Sequence, residues 1–215
     1  FYGYNVIGMY TNASDFYQKN AQGEFLLDAN GNKVPVARPV DSNGNLQPIA
    51  TNGIWVGDYI YEDVNGDGKI TEADRKYIGD PNPDFTFGLN NSITWKNFEL
   101  SFFLNGSVGG DIYNIVRQQH TDTQGYGNKM SEVSNYAHVE LIDPNGSATD
   151  INNVYVSNAS TAIVQRISAA GTSLNDNNRI SNRFVEDGSY LRLKTVSLAY
   201  NLPKRWLSPL GIEWV

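Results

Sequence analysis

Residues 84–106 read DFTFGLNNSITWKNFELSFFLNG. Phe85, Phe87, Leu89, Ile93 and Trp95 recur with period two, interrupted only at Asn91, while Thr86, Gly88, Asn90, Ser92 and Thr94 fill the alternate positions. After Lys96 and Asn97 the alternation resumes with Phe98, Leu100, Phe102 and Leu104 on one parity and Glu99, Ser101, Phe103 and Asn105 on the other. Period two places successive side chains on opposite faces of a strand, so the pattern predicts a tight hairpin with one apolar and one polar face. Each strand has about ten residues, the ~9–11 that a tilted strand needs to cross a bilayer. Trp95 and Phe98 flank the turn, where an aromatic girdle lies in a membrane barrel. A hairpin in a β-sandwich also has one apolar face, and the alternation alone leaves that reading open.

Working outward, residues 107–187 form a long stretch rich in Asn, Ser, Thr and Gly, expected to be irregular, with short helical segments at 112–120 and 130–138. A connection of that length is unusual in a soluble domain, whereas outer-membrane barrels carry long extracellular loops and short periplasmic turns. Residues 188–200, GSYLRLKTVSLAY, resume as a strand whose alternation changes phase near Thr195: Leu191 and Leu193 lie on one parity, Val196, Leu198 and Tyr200 on the other. A β-bulge there reconciles the halves. Pro203 ends this strand, and Pro209-Leu210-Gly211 turns the chain into a truncated strand ending at Val215. On the other side, residues 12–83 read as a loop region with small hairpins at DANGN (28–32) and DSNGN (41–45), and a short helical segment at 14–20. The expected fold class is therefore all-β: antiparallel strands of a partial transmembrane β-barrel, with extracellular loops at 12–83 and 107–187 and a transmembrane hairpin at 84–106. The abrupt ends and missing signal peptide give the expectation of a piece of a longer protein.

Composition supports that class. The 215 residues include 26 Asn, 20 Gly and 8 Pro, about a quarter of the chain in turn-forming types, and aromatics make up 12%. The formal net charge of -7 argues against a nucleic-acid partner, which requires a basic surface. With no Cys, disulfides, thiolate-zinc sites and a Cys nucleophile are excluded. No apolar run approaches the ~18–20 residues of a membrane helix.

The most specific chemical motif is DVNGDGKITEAD at 63–74. Counted from Asp63, oxygen ligands fall at positions 1, 3 and 5 through Asp63, Asn65 and Asp67; Gly68 occupies position 6, Lys69 offers its carbonyl at 7, and Asp74 takes position 12. That is the spacing of an EF-hand-like loop, in which alternate residues of a tight turn deliver oxygens to one hard cation. Asp74 stands where Glu is usual. The alternative is a turn whose carboxylates only cap backbone N–H groups. The expectation is a structural Ca²⁺ held by Asp63, Asn65, Asp67, Lys69 and Asp74. The loop also resembles a dockerin repeat, but a dockerin needs two repeats with following helices, and Gly79, Pro81 and Pro83 cut such a helix short.

A wider resemblance spans FYGYNVIGMY at 1–10, GDYIYEDVNGDGKITEADRKYIGDPNPDFTFGLNNSITWKNFELSFFLNGSVGGDIYN at 57–114, and NNRISNRFVEDGSYLRLKTVSLAYNLPKRWL at 177–207. These runs resemble the C-terminal barrel half of the SusC/RagA family of TonB-linked outer-membrane transporters. The resemblance implies a 22-strand barrel with an internal plug and import of oligosaccharides or peptides. It also implies a SusD-like surface lipoprotein as partner, and energy delivered by the TonB complex through parts of the protein absent here. The plug, the TonB box and the terminal strand are not in this chain, so the segment is not expected to transport alone. The competing reading is a soluble secreted β-sandwich module that binds calcium and glycan.

No enzyme is expected. His120 and His138 read as solvated loop histidines, and GSVGG at 106–110 lacks the Lys and following helix of a P-loop. Tyr10, Phe16, Tyr17, Trp55, Tyr113, Tyr126 and Tyr136 stand in loop regions, where they either pack the loops or contact sugar or lipoprotein.

Overall fold

The computed structural model describes residues 1–124, 127–168, 174–208 and 211. The fold is all-β, with only short helical segments among the described residues. The expected strand at the C-terminal end and residues 209–210 of the preceding turn lie outside the described residues. The chain divides into two compact units: Asp80–Ile112 with Asp187–Val215, and Phe1–Gly79 with Tyr113–Glu186.

The first of these is a three-stranded antiparallel sheet in which Phe98–Gly109 runs between Pro83–Trp95 and Tyr190–Tyr200. Trp95 pairs with Phe98 across a two-residue turn, and Lys96 in that turn has φ +53°. The register of the third strand shifts between Leu193 and Thr195, leaving Lys194 as the extra residue. This bulge keeps Leu191, Leu193, Val196 and Leu198 on one face despite their change of parity. Pro83, which cannot donate to a ladder, stands at the first position of an outer strand. Gly106 is required opposite Phe87, because a Cβ at 106 would collide with the Phe87 ring.

The second unit is assembled from short ribbons. Val6–Met9 pairs with Tyr59–Tyr61, Val139–Leu141 with Val154–Val156, and Tyr2–Gly3 with Lys76–Tyr77, all antiparallel; Arg38–Pro39 and Lys69–Ile70 form a parallel pair. The two Asn-Gly turns are built identically. Asp28 Oδ1 accepts the N–H groups of Asn30 and Asn32, and Asp41 Oδ1 those of Asn43 and Asn45. These donors hold both carboxyls below the usual range. Tyr10, Phe16, Ile54, Trp55, Val56, Ala137, Val154 and Val156 make one core cluster, and Tyr4, Ala37, Tyr59, Tyr61 and Ile70 a second.

Much of the stretch expected to be irregular is therefore folded. Tyr113–Glu186 carries the helix Ile115–Thr121, capped by Asn114 Oδ1 on the Arg117 N–H at 2.8 Å, and a 3-10 turn at Ser131–Asn135. Its apolar residues recur with no regular period, yet Val154, Val156, Val164 and Phe184 are buried. Several of their partners come from the first 79 residues, as the shared cluster shows. The helical segment expected at 14–20 is a shorter 3-10 turn, Ala13–Phe16, capped by Asn12.

Candidate functional site

The long sheet presents two unlike faces. Directly opposed residues of an antiparallel pair point to the same side, so the register sorts the side chains into cross-strand rows. On one face these are Phe87–Gly106–Leu191, Leu89–Leu104–Leu193, Asn91–Phe102–Val196, Ile93–Leu100–Leu198 and Trp95–Phe98–Tyr200. On the other they are Thr86–Ser107–Tyr190, Gly88–Asn105–Arg192, Asn90–Phe103–Thr195, Ser92–Ser101–Ser197 and Thr94–Glu99–Ala199. The apolar face lies open: Ile93 is 52%, Leu193 56% and Leu198 69% exposed. It ends at the tight turn in an aromatic row, with Trp95 and Phe98 rings 6.5 Å apart and Phe98 and Tyr200 rings 4.6 Å apart. At the far end Phe85 and Phe87 lie 6.1 Å apart. At about 3.4 Å per residue, the span from Phe85 to Trp95 is roughly 34 Å along the strand, or about 24–28 Å at a tilt of 35–45°. Phe103 and Tyr190 are the aromatic residues among the polar rows, and the Phe103 ring lies over Gly88.

The acidic loop takes its shape from its own carboxylates. Asp63 Oδ1 accepts the Gly66 N–H at 2.7 Å and Oδ2 the Gly68 N–H at 2.8 Å. Asn65 Oδ1 accepts from the Asp67 N–H, and Asp67 Oδ1 from the Lys69 N–H. Gly66 and Gly68, at φ +75° and +79°, supply the left-handed backbone that the turn requires. Asp74, fully buried, closes the loop: its Oδ1 accepts the Val64 N–H at 3.0 Å and its Oδ2 the Thr71 N–H at 2.7 Å. Lys69 begins a short strand and sends Nζ to the Gly44 carbonyl. The donor types suit a hard cation, since each carboxylate oxygen keeps lone-pair capacity beyond one N–H. Among the described residues, however, no three acidic or histidine side chains gather around one point. The arrangement as it stands is a hydrogen-bonded turn.

A buried polar network in the same unit has no signature in the sequence. Asp58 is fully buried and takes Arg166 Nε on Oδ1 at 2.9 Å and Arg166 Nη2 on Oδ2 at 3.2 Å. Asn177 Nδ2 donates to Asp58 Oδ1 and the Trp55 N–H to Oδ2, while the remaining guanidinium donors reach the carbonyls of Thr51 and Gly53. Asn177 Oδ1 accepts the Tyr59 N–H, and Asn175 Nδ2 donates to the Tyr59 carbonyl. Partners more than 100 positions apart in sequence are thus locked together. Above this layer Arg183 lies 4.0 Å over the Tyr59 ring, and Arg179 lies over Tyr4 and Tyr61. Burial pushes the Tyr59 hydroxyl up to about 12 and raises Tyr10 and Tyr61 as well.

Of the loop aromatics, Tyr10 and Phe16 stack at 4.2 Å inside the core and Trp55 is buried beside them. Tyr113 packs on Phe1 and Phe184, Tyr17 meets Phe25 edge-on, and Tyr136 lies against His138. Tyr126 lies outside the described residues. His120 Nδ1 is paired with the Asn128 carbonyl.

No family model matches the chain. Two proteins of Formosa agariphila, each named TonB-dependent receptor, are 35% identical over 159 and 176 residues, covering 74% and 82% of this chain. SusC of Bacteroides thetaiotaomicron, also named TonB-dependent receptor, is 24% identical over 194 residues and covers 85% of the chain. The chain spans only 13%, 15% and 17% of the lengths of these three relatives. With an all-β fold and similarity along most of its length, the chain is homologous to a segment of the TonB-dependent receptors, SusC among them.

Proposed function

We propose that this chain supplies barrel strands and surface loops of a TonB-dependent transporter in the outer membrane of a Gram-negative bacterium. The transporter imports oligosaccharides or peptides together with a SusD-like surface lipoprotein, and couples to the TonB complex through other segments of the receptor. The observation that carries this reading is the open apolar face of the long sheet, bounded by aromatics and of bilayer-spanning length. In water such a face costs about 25 cal/mol for each Å² of apolar surface, and lipid removes that cost. The opposite face, lined by Thr, Ser, Asn and Arg192, suits a wet barrel interior. Pro83–Trp95 and Tyr190–Tyr200 each pair on one side only among the described residues. Free strand edges are not tolerated in hydrocarbon, so the segment needs neighbouring strands and does not transport alone. Its role is to enclose and carry, with no reaction catalysed. The soluble sandwich reading would require a second sheet over the apolar face, and the exposure of that face disfavours it.

The test is to detect this segment in fractionated cells. A band several times 23.9 kDa in the outer membrane, migrating differently before and after boiling, supports the transporter. A soluble band near 24 kDa sinks it.

Within the same reading we propose a structural Ca²⁺ at Asp63, Asn65, Asp67, the Lys69 carbonyl and Asp74, drawn together when the cation enters. What supports it is the spacing of the oxygen donors around the two left-handed glycines. Millimolar calcium should raise the melting temperature of the receptor relative to chelator, and Asp67→Ala should not respond. Equal melting with calcium and chelator would leave the carboxylates as turn caps alone.

A further inference from the structure

A small cleft in the loop unit gathers more hydrogen-bond donors than the chain itself uses. Its volume is about 290 Å³, and it is lined by Tyr4, Arg75, Gln118, Asn178, Arg179 and Ile180 together with Glu72 and Asp176. Both guanidinium groups stand over the Tyr4 ring, with Cζ of Arg75 at 5.7 Å and Cζ of Arg179 at 5.1 Å from its centroid. The two cations differ in what they already hold. Arg75 gives Nη1 to Glu72 Oε2 at 2.5 Å, and the other Glu72 oxygen accepts the Tyr4 hydroxyl at 3.1 Å. Arg75 is thereby charge-compensated, although its Nε is buried without a partner.

Arg179 is not compensated in this way. Its side chain is 17% exposed, and Nε donates to the Asn175 carbonyl at 3.3 Å. Asp176 Oδ2 stands 3.9 Å from the same Nε, beyond hydrogen-bond reach, on a side chain that is 66% exposed. Beyond the neighbouring Tyr4 hydroxyl, the two Nη atoms meet no acceptor among the described residues. Donors so far withdrawn from water are normally satisfied, and an unused Nη pair is the fork that fits two oxygens of one oxyanion. In the same lining Gln118 Nε2 is taken by the Asn178 carbonyl at 2.7 Å, which leaves Gln118 Oε1 and the Asn178 side-chain amide without a hydrogen bond.

We propose that this cleft binds an acidic oligosaccharide, one carboxylate or sulfate group of which docks on Arg179. The inference rests on the transporter reading and narrows its substrate class. Around the oxyanion, the oxygens of Gln118, Glu72 and Asp176 suit sugar hydroxyls, and Asn178 Nδ2 suits a hydroxyl or ring oxygen. A peptide of mixed sequence calls for apolar walls. Here the Tyr4 ring is covered by guanidinium groups, and Ile180 is the one aliphatic residue of the lining. The cleft lies at the small end of ligand sites, so it takes one acidic ring of a longer chain.

The test is isothermal titration calorimetry on the detergent-solubilised full-length receptor. The probes are tetragalacturonate and its methyl ester, a sulfated galactose tetrasaccharide and its desulfated form, and tetraglutamate. At least one acidic sugar should bind about tenfold or more tightly than its neutral counterpart, and which one binds names the anion. Arg179→Gln should lower that affinity by about ten- to a hundredfold, and Arg75→Gln by only about threefold. Arg179→Lys keeps a cation over Tyr4 but not the fork, and should recover part of the loss. Unchanged heat-modifiable migration shows that each variant is assembled. Binding of neither acidic sugar, equal binding of acidic and neutral forms, or a preference untouched in Arg179→Gln overturns the proposal. So does Arg179-dependent binding of tetraglutamate alone, which assigns the cleft to peptides. A receptor absent from the outer membrane would instead defeat the transporter reading itself.

Discussion

In the unit built from Phe1–Gly79 and Tyr113–Glu186, Phe16, Ile54, Val56 and Val164 are sealed from solvent, whereas in the long sheet Ile93, Leu193 and Leu198 stand more than half exposed. The first unit packs two clusters of apolar residues inside it and holds its centre with a buried ion pair. The sheet does the reverse, turning a continuous apolar face outward and keeping Ser, Thr and Asn on the other. Both arrangements obey the same rule, that apolar surface leaves water where it can. On the transporter reading proposed above, the two regions answer to different solvents: the loops and ribbons to water, and the sheet to lipid on one face and further strands at its edges.

The largest effect is expected where the loop unit is most unlike the sheet. Arg166→Met leaves Asp58 buried without its ion-pair partner, at a cost of about 3–5 kcal/mol. Hydrogen exchange in residues 51–61 and 175–177 should then accelerate while the sheet amides of the assembled receptor keep their protection. Equal loosening of both regions would show that they do not unfold independently.

Next, a charge at the middle of the apolar face tests which solvent that face meets. Phe102→Arg, in the middle row of that face, should cost about 2–4 kcal/mol at the bilayer midplane and diminish the heat-modifiable outer-membrane band. The neighbouring Ser101→Arg, on the polar face, should assemble normally. If the two variants behave alike, the assignment of the faces fails.

A smaller and pH-dependent effect separates the tyrosines of the loop unit from those at a membrane surface. Burial raises the Tyr59 hydroxyl to about 12, above an unfolded value near 10. For a group whose folded pKa is raised, the stability is fully present below the unfolded value and is lost as pH rises through the folded one. The loop unit should therefore loosen between about pH 10 and 12, and Tyr59→Phe should move that transition upward. Difference absorbance of tyrosinate in the two receptors checks it; if Tyr59→Phe removes one tyrosinate that titrates near 10, the ordinary value, Tyr59 ionises freely and the prediction fails.

How much of this was legible beforehand differs between the regions for a physical reason. The hairpin announces itself because each of its residues alternates between two environments along the chain, and even the bulge at Lys194 shows as a phase change between Leu193 and Val196. The Asn-Gly turns at 28–32 and 41–45 are equally local, each built from one Asp and the amides within four positions of it. In the acidic loop, spacing brought out Asp63, Asn65 and Asp67 and left open whether their oxygens hold a cation or only backbone N–H groups; the hydrogen bonds are those of the second arrangement. The stretch from Tyr113 to Glu186 read as irregular because its buried residues answer to partners far away in sequence.

By itself, then, the sequence determined the all-β class, the two faces of the hairpin, the turns and the family resemblance, since all of these are written in short-range periodicity or in runs of residues. Only the tertiary structure decided that Asp58 would meet Arg166 and that Tyr10 would stack on Phe16 inside a core. Those outcomes depend on which distant segments come together. Such contacts are chosen by the free energy of burying and pairing groups across the whole chain, and no local pattern records them.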